Sequence, residues 1–170
     1  MSKTIVYVGP YSFPNGGAAA RRILGNCLSL RDAGYNVVIT SGQMESLNTV
    51  TEYEGFPVIS LNERCYEHYP SLLKHLMYLG MGKKTVEWLT GFEEKPLAVI
   101  LYSGYSPYLL RLKSWCSQNG VKLIFDAVEW YEAPNLIGKY FSPYHLNISL
   151  AMNLLSPKVG NVICISSLLD

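Results

Sequence analysis

The sequence lacks close cysteine pairs, long uninterrupted apolar runs and an excess of charge of either sign. Its 170 residues carry 14 Lys and Arg against 13 Asp and Glu, a net charge of +1. Proteins that hold nucleic acid on a broad basic face normally carry a large positive excess, so no nucleic-acid partner is predicted. Hydrophobic residues make up 49% of the chain, which excludes disorder and suffices for one domain-sized core.

The cysteines form no C-x-x-C pair; they stand at positions 27, 65, 116 and 164. We therefore expect reduced, buried thiols in a cytosolic protein. Cys65 with His68 and His75 is a candidate metal cluster, but it lacks the close ligand pairs typical of zinc sites, so no metal is predicted. The longest apolar stretch, 96–110, is broken by Ser, Gly and Pro, and neither a membrane span nor a secretory leader is expected.

Short apolar runs rich in Val and Ile recur along the chain, at 4–8, 36–40, 57–61, 97–101, 122–126 and 161–165. They are continuous rather than alternating, which is typical of strands covered by helices on both faces. Helix-length segments separate most of them. This alternation predicts an α/β fold, a Rossmann-like doubly wound parallel sheet in three αβα layers.

Helical spacing and capping residues predict helices over 17–33, 67–90, 106–119 and 143–156. The first ends at Gly34, and the second reads as either one long or one broken helix. Ser106 is the expected N-cap of the third, with Pro107 in its first turn. The stretch 42–56 reads as a loop or an edge hairpin.

Ligands of open parallel sheets bind at the carboxyl ends of the strands, where the strand order reverses. In a Rossmann-like order, the first and fourth runs are neighbours at that reversal. The loop "GPYSFPNGG" and the segment "SGYSPY", which follow these two runs, are therefore expected to face the same crevice.

The pair Gly16-Gly17 lies where the first loop meets the first helix, followed by Arg21 and Arg22. Glycine allows an anion to approach the unpaired amides of a helix start, and an arginine one turn further on could contact a phosphate. The alternative is a plain turn with solvated arginines. No G-x-G-x-x-G follows Gly9 and no G-K-S/T follows the glycines, which argues against a dinucleotide fingerprint and a Walker loop.

Acidic and aromatic residues follow the fifth run: Asp126, Glu129, Trp130 and Tyr131. Carboxylates beside aromatic rings suit a sugar, and a carboxylate there could act as a general base. The alternative is that Asp126 or Glu129 caps the next helix. The segment 72–84 is apolar and basic; core packing with a solvated basic end is favoured, and contact with an anionic membrane is the alternative.

The glycine pair, "LRDAGYNVVI" at 30–39, "YEGFPVISL" at 53–61 and "VICISSLLD" at 162–170 together resemble the N-terminal domain of retaining GT-B glycosyltransferases. The closest set is the family-4 (group 1) class, which builds polysaccharides and glycolipids. The resemblance covers essentially the whole chain. It implies that residues 1–170 are the acceptor-side half of an enzyme whose C-terminal domain, with the nucleotide sugar and a paired-glutamate motif, is absent from this chain.

The resemblance also implies roles for individual residues. Gly16, Gly17, Arg21 and Ser166 would lie on the side of the donor diphosphate. Asp126, with Glu129 behind it, stands where many members have a histidine, and would be catalytic. The acceptor side would include Ser103, Tyr105, Trp130 and Tyr131.

The implied reaction transfers a sugar from a nucleoside-diphosphate sugar to an acceptor hydroxyl, with retention at the anomeric carbon. It needs neither metal nor cofactor. The implied partners are the donor, a carbohydrate or lipid-linked acceptor and the protein's own C-terminal domain, and a cytoplasmic location is expected, with peripheral membrane contact as an open alternative. The fragment alone is expected to be inactive. The competing interpretation is a stand-alone doubly wound module that binds a small anion without catalysis.

Overall fold

The computed structural model describes residues 3–42, 49–63, 69–102, 105–128 and 143–164. The strands are β1 (Thr4–Val8), β2 (Asn36–Ser41), β3 (Thr49–Tyr53), β4 (Phe56–Ser60), β5 (Ala98–Tyr102), β6 (Lys122–Ala127) and β7 (Val162–Cys164). The helices are α1 (Ala18–Asp32), α2 (Ser71–Tyr78), α3 (Lys83–Thr90), α4 (Ser106–Asn119) and α5 (Pro143–Ser149), which continues into a π-helical turn (Leu150–Leu155) and a 3₁₀ turn (Ser156–Lys158).

The strands form one sheet in the order β3-β4-β2-β1-β5-β6-β7. Every pair is parallel except β3 with β4. Numbered along the chain, the six parallel strands lie in the order 3-2-1-4-5-6, which is the Rossmann arrangement, and the order reverses between β1 and β5. The predicted α/β, Rossmann-like doubly wound sheet is confirmed, and each of the six apolar runs contributes one parallel strand.

Alternate residues of the central strands enter two separate cores. On one face, Ile5, Tyr7 and Ile100 pack with Ile23 and Cys27 of α1. The opposite face packs against α3, α4 and the π-helical turn, with a core that includes Val6, Val8, Leu101, Phe125, Leu89, Leu109 and Ala151. Helices on both faces give the three layers that continuous apolar strands require.

Two segments had more than one interpretation from the sequence, and in each of them a glycine determines the observed structure. The stretch 42–56 ends in the β3–β4 hairpin, which turns through Glu54 and Gly55 with φ of 52° and 78°. The helix predicted over 67–90 is broken at Gly82, where φ is 84° and a Cβ would lie 2.6 Å from the Tyr108 ring. Gly82 therefore lets the start of α3 approach α4 closely.

The predicted N-cap of α4 is wrong by one residue. Tyr105 is the capping position, and Ser106 is the first helical residue. The Ser106 amide donates to Oδ1 of Asn147, 2.9 Å away, and the Ser106 hydroxyl donates to the same oxygen. A side chain from α5 thus caps α4, which removes the need for a local cap.

The expectation of buried thiols holds for Cys27 and Cys116, whereas Cys164 is partly exposed. Cys27 and Cys116 are buried and unpaired by disulfides, and burial raises the pKa of each thiol to about 12. Cys65 and His68, from the candidate metal cluster, lie outside the described residues. Within the described part of the chain, no group of three or more His, Cys, Asp or Glu could hold a metal ion, and no helix has the length and apolarity to span a bilayer.

Candidate functional site

The loop after β1 is held rigidly against the ends of the strands. The Tyr11 hydroxyl donates to the carbonyl of Tyr7 at 2.9 Å, and the Phe13 amide donates to Oγ of Ser41 in β2 at 3.2 Å. Both aromatic side chains are buried, with Tyr11 4% and Phe13 1% exposed. These contacts therefore fix the path of the backbone from β1 to the start of α1.

Both glycines of the pair are required by the loop itself. A Cβ at Gly16 would lie 1.9 Å from the carbonyl oxygen of Ser12. Gly17 adopts φ 63° and ψ −128°, a conformation that L residues avoid, and a Cβ there would meet nothing within 4 Å. Gly16 is thus packed against backbone, whereas Gly17 faces open space.

The start of α1 is open. Gly17 is its N-cap and makes no side-chain capping hydrogen bond, and the first turn contains no acidic residue. Gly17 and Ala18 are exposed. The helix has 15 residues, and its start carries unpaired amides and about half a positive charge. Since α1 follows β1, this charge lies at the strand-order reversal.

The start of α4, on the other side of the reversal, is closed. It follows β5, but the Ser106 amide is already occupied by Asn147. Tyr105, just before the helix, stacks on Tyr78 with ring centroids 4.9 Å apart. Within the described part of the chain, a side chain caps the first amide of α4 and no side chain caps the start of α1.

An ion pair joins α1 to β6 across β5. Nη2 of Arg22 lies 2.6 Å from Oδ1 of Asp126, and Nε of Arg22 donates to Oδ2 at 3.3 Å. The Asp126 side chain is completely buried, whereas that of Arg22 is 22% exposed. The carboxylate of the pair is therefore buried, whereas the guanidinium reaches the surface.

Two further side chains complete this cluster. The Tyr7 hydroxyl donates to Oδ2 of Asp126, and Nδ2 of Asn26 donates to the Tyr7 oxygen at 3.0 Å. Arg22 and Asn26 are four residues apart and so share one face of α1. Each oxygen of the Asp126 carboxylate accepts at least one hydrogen bond, as a buried charge requires.

The pKa values of the cluster reflect this coupling. Burial, followed by the charge of Asp126, raises the pKa of Tyr7 well above its usual range. The hydrogen bond to Asp126 raises the pKa of Arg22. Tyr7 therefore keeps its proton and Arg22 its positive charge at neutral pH.

The structure describes five of the predicted site residues: Gly16, Gly17, Arg21, Tyr105 and Asp126. The others lie outside the described residues: Ser103, Glu129, Trp130, Tyr131 and Ser166. Arg21 is exposed, whereas its neighbour Arg22 reaches the sheet. Sequence reasoning did not connect Arg22 with Asp126, nor include Tyr7. The sequence offered one indication that Arg22 could reach the sheet. Arg22 and Asn26 stand beside Ile23 and Cys27, which form the buried face of α1.

These features define a Rossmann-like, doubly wound domain with an open helix start at its strand-order reversal. No family model matches the sequence, and no curated protein matches it. Among solved structures, the chain is similar to an alpha,alpha-trehalose-phosphate synthase (UDP-forming) from Burkholderia vietnamiensis, with a TM-score of 0.46 and 11% identity over 87% of this chain. The match covers 37% of that enzyme, so the chain spans little more than a third of its length.

Proposed function

We propose that residues 1–170 form the acceptor-side domain of a retaining GT-B glycosyltransferase. The full-length enzyme would move a sugar from a nucleoside-diphosphate sugar to an acceptor hydroxyl in polysaccharide or glycolipid synthesis. The resemblance of the glycine pair and the segments 30–39, 53–61 and 162–170 to family-4 enzymes supports this proposal.

The observation that carries the proposal is the uncapped start of α1 at the reversal between β1 and β5. When the sugar–phosphate bond breaks, negative charge develops on the leaving diphosphate. Fixed N–H donors and the positive end of a helix stabilise such charge without reorganising during the reaction. A helix start whose first amide is already bonded to a side chain, as Ser106 of α4 is to Asn147, offers less of this stabilisation.

The remaining site residues take the roles that the resemblance implies. Ser103, Tyr105, Trp130 and Tyr131 are proposed to contact the acceptor, and Ser166 the donor side. The donor's base and sugar would be held mainly by a C-terminal domain, so this chain alone is expected to bind nucleotides weakly and to transfer no sugar.

The test is transfer by the full-length protein. Purified enzyme is incubated with a panel of nucleoside-diphosphate sugars and with carbohydrate or lipid-linked acceptors, and nucleoside-diphosphate release and product are followed. The anomeric configuration of the product, read by NMR, must match that of the donor. Inversion would exclude the retaining class, and binding of nucleotides without any transfer would exclude the transferase.

The second candidate is a stand-alone anion-binding module. This candidate is favoured because the start of α1 and the arginines of α1 belong to one domain. Binding an anion there does not require a second domain. A module that recognises only the anion would bind pyrophosphate as tightly as it binds any nucleoside-diphosphate sugar. A transferase is expected to prefer one donor clearly.

We also propose peripheral contact with an anionic membrane through α2. Leu73, Leu76 and Leu79 are 49%, 59% and 61% exposed, although core packing had been the favoured expectation. Met81, by contrast, is buried in the core as expected. The sequence from 69 to 86 contains three lysines and no acidic residue. Exposed leucines beside basic residues suit a surface of anionic lipid headgroups.

A further inference from the structure

We propose that Arg22, rather than Arg21, is the cation that contacts the donor diphosphate, and that Asp126 and Tyr7 are positioning residues that hold it. The identity of the anion as a donor diphosphate rests on the proposed function. The placement of Arg22 rests on its own contacts.

Arg22 is placed to act at the open helix start. It is the fifth residue of α1, and helical side chains lean towards the N-terminus of their helix, so its guanidinium is directed back towards the first turn. Its partner Asp126 pairs in register with Tyr102, the last residue of β5. The guanidinium therefore lies at the carboxyl-end rim of the sheet, close to the strand-order reversal.

The Arg22 guanidinium has N–H donors that its bonds to Asp126 do not use. It carries five N–H groups, and the bonds to Asp126 are made by Nε and Nη2. Nη1 makes no hydrogen bond to the described residues, and the side chain keeps 22% exposure while Asp126 has none. Because the Asp126 carboxylate offsets much of the charge of Arg22, an anion would be bound mainly through the directed N–H donors of Nη1, at a site that is partly shielded from water.

Arg21 differs in each of these respects. It is exposed, and it lies about 100° round the helix from Arg22. It therefore carries the same charge on the same helix without contact with the sheet. This makes Arg21 a matched control for the charge of Arg22.

The contacts of Asp126 favour a positioning role over general-base catalysis. A general base must come within hydrogen-bonding distance of the proton that it removes. The Asp126 carboxylate is fully buried, and its oxygens already accept bonds from Arg22 and Tyr7. Bidentate pairing fixes the plane of the guanidinium, which limits the directions in which Nη1 can donate.

The first experiment measures pyrophosphate and UDP binding to the full-length protein by titration calorimetry. Removing Arg22 alone would leave the Asp126 charge buried and unpaired, so the variant is Arg22→Gln with Asp126→Asn, which is neutral at both positions. We expect pyrophosphate affinity to fall by roughly tenfold or more in this variant and to change by less than about twofold in Arg21→Gln. Equal effects of the two variants, or binding that survives loss of Arg22, would overturn the proposal.

The second experiment first tests contact with Arg22 in the unmodified protein, which does not depend on any variant folding, and then tests positioning in two variants. The Nε–H signal of Arg22 in a ¹⁵N–¹H spectrum is expected to shift on addition of pyrophosphate. Asp126→Asn should broaden this signal and weaken pyrophosphate binding, and Tyr7→Phe should weaken binding to a smaller degree. Pyrophosphate binding that leaves the Nε signal unmoved would refute contact with Arg22. Unchanged affinity in Asp126→Asn with lost turnover would identify Asp126 as a catalytic residue instead.

The two proposals fail separately. If pyrophosphate binds through Arg22 but no donor and acceptor pair supports transfer, the Arg22 site stands and the glycosyltransferase assignment falls. If sugar transfer is found and the neutral double variant binds pyrophosphate normally, the enzyme stands and the role of Arg22 is wrong. If the protein binds neither pyrophosphate nor UDP, the Arg22 proposal is wrong as well.

Discussion

A Cβ atom at Gly16 would lie 1.9 Å from the carbonyl oxygen of Ser12. The backbone of the loop therefore folds back on itself at a distance that only glycine permits. The backbone of the loop therefore requires the glycine at position 16, whether or not a ligand binds. Any function of the loop depends on the groups that it exposes and cannot be inferred from the glycine pair alone.

Replacing Gly16 by alanine is expected to unfold the loop locally and to lower the free energy of unfolding by about 1–3 kcal/mol, because the backbone must shift to relieve the clash. The control is Gly25→Ala in the middle of α1, where a Cβ meets nothing within 4 Å. That change should raise stability by about 0.5–1 kcal/mol, since glycine is a poor helix former. Urea denaturation measures both, and equal stability of Gly16→Ala and the wild type would contradict the packing.

A negative charge at the start of α1 is expected to raise the stability of the protein and to lower its affinity for pyrophosphate. In Ala18→Glu, the carboxylate faces the positive end of the helix and is expected to add about 0.3–1 kcal/mol to the free energy of unfolding. The same charge repels an anion, so pyrophosphate affinity should drop by roughly tenfold. Valine or alanine at Gly17 is a poorer probe, because φ is 63° there and a side chain would strain the backbone.

Gln118→Glu on α4 is the charge-matched control for this variant, since residue 118 is exposed and lies in a different helix. Its pyrophosphate affinity should equal that of the wild type. A stabilised Ala18→Glu protein that still binds pyrophosphate normally would show that the anion site lies elsewhere.

The buried thiols should make the protein sensitive to alkaline pH. Burial raises the pKa of Cys27 and of Cys116 to about 12, from an ordinary value of 9.0. The unfolded chain therefore loses these protons first, so the stability that the neutral thiols contribute is complete below about pH 8 and declines above about pH 9 as the pH rises towards 12. Each thiol contributes a slope of up to about 1.4 kcal/mol per pH unit.

Chemical denaturation between pH 7 and pH 10 checks this slope. The variant Cys27→Ala/Cys116→Ala is expected to lose less stability than the wild type between pH 8 and pH 10, whatever its stability at pH 7. Cys164→Ala, at a partly exposed position, controls for thiol removal. An identical slope in the wild type and the double variant would rule out the thiols as the cause.

Membrane contact predicts a specific sensitivity at α2. In Leu76→Gln/Leu79→Gln, both positions being more than half exposed, the partition coefficient onto vesicles of anionic phospholipid, measured by co-sedimentation, should fall by roughly thirtyfold, because about 2 kcal/mol of apolar burial is lost. The melting temperature should stay unchanged, since neither side chain is buried in the core.

The comparison variant is Leu150→Gln/Leu154→Gln, which removes leucines of 40% and 54% exposure from the π-helical turn. It should bind vesicles like the wild type. A similar loss in both variants, or vesicles without anionic lipid binding equally well, would argue against a docking surface on α2 that recognises anionic headgroups.

The elements of the fold were predictable because their signals are local. Continuous Val and Ile runs predicted the parallel strands, and Gly120 marked the observed end of α4. Gly120 indeed adopts φ 64°. Such signals depend on the residue and its immediate neighbours, so one sequence suffices to detect them.

The polar contacts of the site were not predictable in the same way, since they join residues far apart in sequence. Arg22 and Asp126 are separated by 104 positions, and their meeting depends on the strand order and on the rotation of α1 over the sheet. Glu63 is another case: its carboxylate accepts the amides of Gly82 at 3.0 Å and Thr85 at 2.9 Å, and so caps α3 from the end of β4. No local pattern marks Glu63 as a cap.

The cap that Asn147 places on α4 has a consequence for how a substrate can enter. Its amide oxygen occupies the donor that Ser106 would otherwise present, so the two sides of the strand-order reversal differ in polarity. If an anionic substrate binds at the start of α1, as proposed, we expect its charged end to lie over α1 and its neutral end over α4. The difference between the two helix starts would then set the direction in which such a substrate lies.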